Sequence, residues 1–200
     1  MADPTYPVLD ADFEVWTLAE ESVETLFRLS ALRVRGATRR YEDGRTRTAV
    51  REVTDGELDW EWRFVAATRV GFEPPLPPGT PGSMVLPTVR SEARSTFVDR
   101  LADRGLDSIE RRGDERIRIR SGSRARVTRY RATASVDTTV VPVTGWVGAW
   151  YDAGDFFVVT GGHPETRLSD VLDLETDTPV LDRSSGEYRE EFIDILRSVR

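Results

Sequence analysis

Between Arg111 and Arg131 nine arginines stand against two carboxylates, Asp114 and Glu115. Within that run Arg116, Arg118 and Arg120 alternate with Ile117 and Ile119, so on an extended strand the three guanidiniums share one face and the isoleucines the other. A guanidinium presents a planar fork of N–H donors that grips a phosphate or carboxylate through two parallel bonds. The three arginines are therefore candidate ligand-binding residues for an anion, and nucleic acid is one such target. No aromatic side chain interleaves with them to stack bases, and high salt erodes phosphate contacts through counterion competition. The simpler account is a solvated strand face paired with acidic side chains on neighbouring strands.

A second constellation surrounds residues 145–165. Trp146 and Trp150 share a strand parity with Gly148, whose missing side chain leaves room between the rings. The segment Thr160-Gly161-Gly162-His163-Pro164-Glu165 follows a strand pattern, and loops at the end of a sheet often carry function. Histidine as a residue type titrates near neutrality, and His163 stands near Glu165, so the two could act as an acid/base pair. Trp146, Trp150 and His163, helped by an arginine, thus form a candidate site for a small anionic ligand. The competing account is tryptophans packed in a core and a turn histidine without chemistry.

Other chemistries lack their residues. There is no cysteine, which removes disulfides, thiolate catalysis, zinc ribbons and iron–sulfur clusters, and His163 is the only histidine, so a two-histidine metal site is excluded. The carboxylates Asp170, Asp173, Glu175 and Asp177, and the pair Asp152 and Asp155, do not follow the spacing of a calcium loop. Gly161-Gly162 is too short to cradle a phosphate, and GxGxxG is absent. No serine stands in a nucleophile-elbow context. No catalytic residue, metal or cofactor is assigned.

Composition says more about habitat than about activity. All 28 basic side chains are arginine, with no lysine, asparagine or glutamine, and 35 acidic residues set the net charge at −7. GC-rich coding removes lysine and asparagine, and an excess of acid keeps a protein soluble when salt screens its charges. Both fit a halophile with a salt-rich cytoplasm; an ordinary GC-rich bacterium is the alternative. No stretch reaches the roughly 18 apolar residues of a membrane-spanning helix, and the opening run from Met1 to Asp12 lacks a basic start followed by an apolar stretch. The expectation is a cytoplasmic protein with no membrane contact.

The elements that position these residues read as one domain over 1–200. A chain of 200 residues buries roughly 70% of its unfolded surface, enough for one large core. An N-terminal β-meander spans 13–72, with turns at Asp43-Gly44 and Asp55-Gly56. On its third run Leu58, Trp60, Trp62 and Phe64 fall on a buried face, and Asp59, Glu61 and Arg63 on a wet one. A proline-rich loop over 73–87 follows, holding EPPLPPGTPGS, and it is the one credible domain boundary.

An α+β portion covers 88–200. Val89, Ala93, Phe97 and Leu101 recur every four residues and predict a mid-chain amphipathic helix ended by Gly105. Strands follow, with turns at Gly113-Asp114 and Ser121-Gly122-Ser123, then a hairpin of Gly145–Tyr151 with Asp155–Thr160 across Asp152-Ala153-Gly154. A short helix is weakly signalled around Leu168 to Asp173. Ser184 and Glu187 stand at capping-box spacing before a C-terminal helix that buries Tyr188, Phe192, Ile195, Leu196 and Val199. Strands outnumber helices and hairpins are local, which predicts an α+β fold with a largely antiparallel sheet.

The second half, from Thr88 to Arg200, resembles the PsbP-like α/β/α sandwich proteins. The shared order is a helix with Phe97 and Leu101 ending at Gly105, arginine-rich strands through Gly122, Tyr130 in RVTRYRA, the WVGAWYDAGDFFVVTGG hairpin and a closing EEFIDILRSVR helix. The N-terminal meander fits that pattern less well. Such proteins mostly act as scaffold or accessory factors, so the resemblance implies a non-catalytic binding role with a protein partner and carries over no catalytic residue. A small-molecule site or enzyme near the hairpin is the alternative, and nucleic acid on the arginine strands is a third.

Overall fold

The computed structural model describes residues 4–9, 15–29, 32–174 and 178–200, and within them seven strands form a single sheet. The strands are β1 (Trp16–Leu29), β2 (Leu32–Asp43), β3 (Phe64–Glu73), β4 (Leu106–Arg118), β5 (Arg124–Val136), β6 (Thr139–Asp152) and β7 (Asp155–Pro164). Their order is β1-β2-β3-β7-β6-β5-β4, with every neighbouring pair antiparallel. The meander of the first half and that of the second join where β3 meets β7, in a register running from Phe64↔Gly162 to Val70↔Phe156. Register shifts fall within the two outermost pairs, twice in β1–β2 and twice in β4–β5.

Among the described residues four helices complete the fold: α1 (Gly44–Val53), α2 (Gly82–Asp103), α3 (Leu168–Val171) and α4 (Ser185–Ser198). The period of two along β6 divides its side chains between two helical layers. Trp146 and Trp150 join Phe192, Ile195 and Leu196 of α4 in one core, while Val143 and Val147 join Phe97 and Leu101 of α2 in another. The sheet is covered on both faces, and the fold is α+β with an antiparallel sheet, a mid-chain helix and a C-terminal helix. No helix among the described residues is long and apolar enough to cross a membrane.

Several local signals act as their chemistry dictates. Gly105 takes φ 79° at the end of α2. The β6–β7 hairpin turns on Ala153 (φ 49°) and Gly154 (φ 100°), two left-handed residues that match the twist of the strands they join. Ser184 and Glu187 form a reciprocal capping box at α4, and Tyr188, Phe192, Ile195, Leu196 and Val199 are all buried.

Other sequence expectations are overturned. Asp43-Gly44 is no hairpin turn: Asp43 caps α1, its Oδ1 accepting the Thr46 N–H at 2.9 Å. The strand expected over Leu58 to Phe64 starts only at Phe64, so Trp60 and Trp62 lie on irregular chain, meeting edge to face at 5.3 Å. Gly113-Asp114 is a bulged stretch inside β4 rather than a turn. The proline-rich loop ends earlier than 87, because α2 begins at Gly82 and carries Pro87 within it. A proline there removes one bond to the helix's first turn, where the exposed Ser83 and Met84 lie. Of the acidic cluster near the C-terminus, Glu175 and Asp177 lie outside the described residues.

Arg63, expected on a wet face, is 3% exposed. Its Nη1 donates to Asp43 Oδ2 and its Nη2 to Glu191 Oε2 at 2.8 Å. The guanidinium lies over the rings of Trp16 (4.9 Å) and Tyr188 (4.3 Å). Glu191 also accepts from Trp16 Nε1 at 3.0 Å and pairs with Arg183 at 2.8 Å. A charge this deep is tolerated only because its counter-charges are equally fixed. Replacing Asp43 with Ala leaves the cation without its most buried partner, and the unfolding free energy is expected to drop by about 3–5 kcal/mol. Urea titration followed by tryptophan fluorescence measures it; a loss below about 1 kcal/mol would show that water compensates Arg63.

Candidate functional site

Helix α2 crosses its face of the sheet because Val89, Phe97 and Leu101 are buried against it. The same spacing of four sets Arg90 and Arg94 one turn apart on a neighbouring stripe. Both line a cleft of about 180 Å³ together with Pro87 of the same helix. Arg126 and Thr128 of β5 and Val147 and Ala149 of β6 complete the lining. Arg126 pairs with Ala149, and Thr128 with Val147, across the β5–β6 ladder, so these four residues share the face that α2 covers.

The cleft holds an excess of positive charge. Asp114 of β4 takes bonds from Arg111 at 2.6 Å, from Arg126 at 3.1 Å and from the Thr128 hydroxyl at 2.8 Å. Those donors, Arg111 first, hold its carboxyl down at about 2 despite partial burial. Among the described residues Arg90, Arg94 and Arg116 form no ion pair; Arg90 donates only to the Ala149 carbonyl, at 3.4 Å. Burial lowers the pKa of Arg90, and the like charges of Arg126, Arg116 and Arg94 lower it further. Arginine does not discharge at any ordinary pH, so Arg90 and Arg94 keep their charge in the cleft, and an anion there would relieve their repulsion. Three forked cations, Arg90, Arg94 and Arg126, around a small concave space can bind a phosphate or carboxylate group bidentately.

Of the residues singled out from sequence, Arg116 joins this cluster from β4, where it pairs with Arg126. Arg118 ends β4, and Arg120 lies in the following turn. All three are exposed while Ile117 and Ile119 are buried, as the alternation predicts. Trp146, Trp150 and His163 lie on the opposite face, beneath α4. Trp146 stacks on Phe192 at 5.9 Å and Trp150 on Phe157 at 5.4 Å. The room left by Gly148 is filled, since a Cβ there would stand 2.8 Å from Leu196 Cδ1.

His163 is 3% exposed, and both of its nitrogens are engaged inside the protein. Nε2 accepts from Trp146 Nε1 at 3.0 Å, so Nδ1 carries the proton and donates to the Pro164 carbonyl at 2.8 Å. Glu165 pairs with Arg131 at 2.7 Å. The sequence constellation of tryptophans, histidine and arginine is thus divided by the sheet. Arg90, Arg94, Arg126 and Thr128 are the residues sequence reasoning passed over. Their signal was the i, i+4 arginine pair flanking the helix's apolar stripe. No group of three or more His, Asp or Glu that could hold a metal ion occurs among the described residues.

A family model described as "Domain of unknown function (DUF6517)" matches residues 4–200, and the chain belongs to that family. Among curated proteins nothing matches it.

Burial holds the His163 pKa down to about 4, against 6.5 for the free side chain. Below about pH 6.5 the unfolded chain takes up a proton that the folded chain refuses until about pH 4. Stability is therefore expected to fall as pH drops from 7 towards 4, by about 3 kcal/mol from this group alone. Urea midpoints measured across that range should show the slope, and His163→Gln should flatten it; an unchanged slope would assign it to other groups.

Proposed function

We propose that this protein is a non-catalytic binding protein whose ligand presents a compact anionic group, a phosphate or clustered carboxylates, to the cleft between α2 and β5. The observation that carries this reading is the uncompensated positive charge of Arg90 and Arg94, facing Arg126 across a space of about 180 Å³. A purely structural arginine stripe would pair with carboxylates, as arginines elsewhere in the fold do. The non-catalytic part rests on the absence of a nucleophile–base pattern in the sequence and on the resemblance of its second half to PsbP-like scaffold proteins.

The same reading takes the protein to be cytoplasmic and salt-adapted, supported by its arginine-only basic complement and its net charge of −7. Salt at such levels screens exposed contacts strongly and half-buried ones less. Arg90 and Arg94 are half-buried, while Arg116, Arg118 and Arg120 are exposed. A compact anion in the cleft therefore suits that medium better than nucleic acid laid along the exposed strand.

Thermal unfolding monitored by tryptophan fluorescence tests the proposal with phosphate, pyrophosphate and citrate, each against potassium chloride of equal ionic strength. One of these anions should raise the melting temperature in a concentration-dependent way. Arg90→Gln and Arg94→Gln should each weaken its binding about tenfold or more, the cost of losing a charged hydrogen-bond donor. Equal responses from wild type and both variants would overturn the proposal. So would binding of a single-stranded oligonucleotide that depends on Arg116, Arg118 and Arg120 but not on Arg90 or Arg94.

A further inference from the structure

A second cavity, of about 270 Å³, opens between the C-terminal half of α2 and the strands β1, β2 and β3. Thr38, Ala66 and Thr160 line it from the sheet, and Phe97 and Leu101 from the helix. It shares Phe97, Arg100 and Thr160 with an apolar extension of about 50 Å³ lined by Leu26, Phe27, Val70, Val89 and Val158. The combined space has a polar end and an apolar end, and Arg100 lines both.

The cations of the polar end differ in how firmly they are held. Arg40 pairs with Glu61 and with Glu20 (3.5 Å), and Arg104 pairs with Glu61 (3.4 Å) while lying 4.2 Å over the Phe64 ring. Among the described residues Arg100 pairs with one carboxylate, Glu24 of β1, whose Oε1 accepts from Nη2 at 2.5 Å. Both side chains of that pair are about half exposed, 46% and 47%. Exposed pairs of this kind contribute little to stability and exchange readily. A ligand carboxylate is chemically equivalent to that of Glu24, and one carrying an alkyl chain also buries apolar surface in the extension.

We propose that this cavity takes a short-chain amphipathic monocarboxylate, with its alkyl chain against Leu26, Phe27 and Val89 and its carboxylate on Arg100 in place of Glu24. This site lies apart from the cleft of Arg90 and Arg94 and does not depend on the reading given for that cleft.

Calorimetric titration with hexanoate, using acetate and hexylammonium as controls, tests the assignment on the full chain. Hexanoate is expected to bind measurably, and acetate and hexylammonium are not. Glu24→Gln removes the resident competitor and should tighten hexanoate binding several-fold, whereas Arg100→Gln should weaken it about tenfold or more. Both positions are exposed, so the variants should unfold at temperatures close to wild type, which is checked alongside. Arg94→Gln should bind hexanoate as wild type does. Loss in Arg94→Gln with retention in Arg100→Gln would move the carboxylate to the other cleft and overturn the proposal. Acetate binding as well as hexanoate, or no binding even to Glu24→Gln, would also overturn it.

Discussion

The buried guanidinium of Arg63 is the constraint to which much of the architecture answers. Its partners come from separate parts of the chain: Asp43 from the junction of β2 and α1, Glu191 and Tyr188 from α4, and Trp16 from the start of β1. A cation that cannot shed its proton must find all of them or remain exposed. Docking α4 on the sheet and closing the end of β2 onto the chain before β3 therefore become one event. An apolar replacement of equal volume could match its stability. What the ion cluster adds is a penalty on every arrangement that leaves one of its members behind.

The elements legible in the sequence are those whose causes are local. The hairpin of β6 and β7 turns on residues that tolerate positive φ, and α4 begins at a capping box that needs four consecutive residues. Residues 44–63 mislead because their signals are shared. Asp-Gly marks a tight turn, yet an aspartate before a helix is also its best cap. The alternation of Trp60, Glu61, Trp62 and Arg63 fits a half-wet strand, and only the distant Glu191 and Asp43 reveal that Arg63 points inward. The arginine cleft was half visible for the same reason: Arg116 announced itself within its strand, but Arg90 and Arg94 meet β5 only through tertiary packing.

With arginine as the sole basic side-chain type apart from His163, every buried or half-buried guanidinium must be balanced in place, since none can be neutralised by losing a proton. The fold does this in two ways. Carboxylates match Arg39, Arg47 and Arg63, and Arg104, Arg69 and Arg183 combine a carboxylate partner with an aromatic face. Against that background the cations along α2 stand out, because the helix puts them beside open space on two sides. The helix is held by Val89, Phe97 and Leu101, so its arginines are presented from a rigid support rather than from a loop.

The register shifts confined to the two outer strand pairs bear on how copies of the protein meet. An unpaired strand edge is a template for another chain, and a long regular edge invites sheets to grow sideways. β1 and β4 carry these edges, and each is bent by two bulges and lined by like-charged neighbours such as Glu20 with Glu21 and Arg111 with Arg112. Two molecules approaching through like edges, β1 on β1 or β4 on β4, bring mismatched hydrogen-bond spacings and repelling side chains together. Where salt screens the side-chain charges, the bulged backbone of either edge still opposes sideways growth of the sheet.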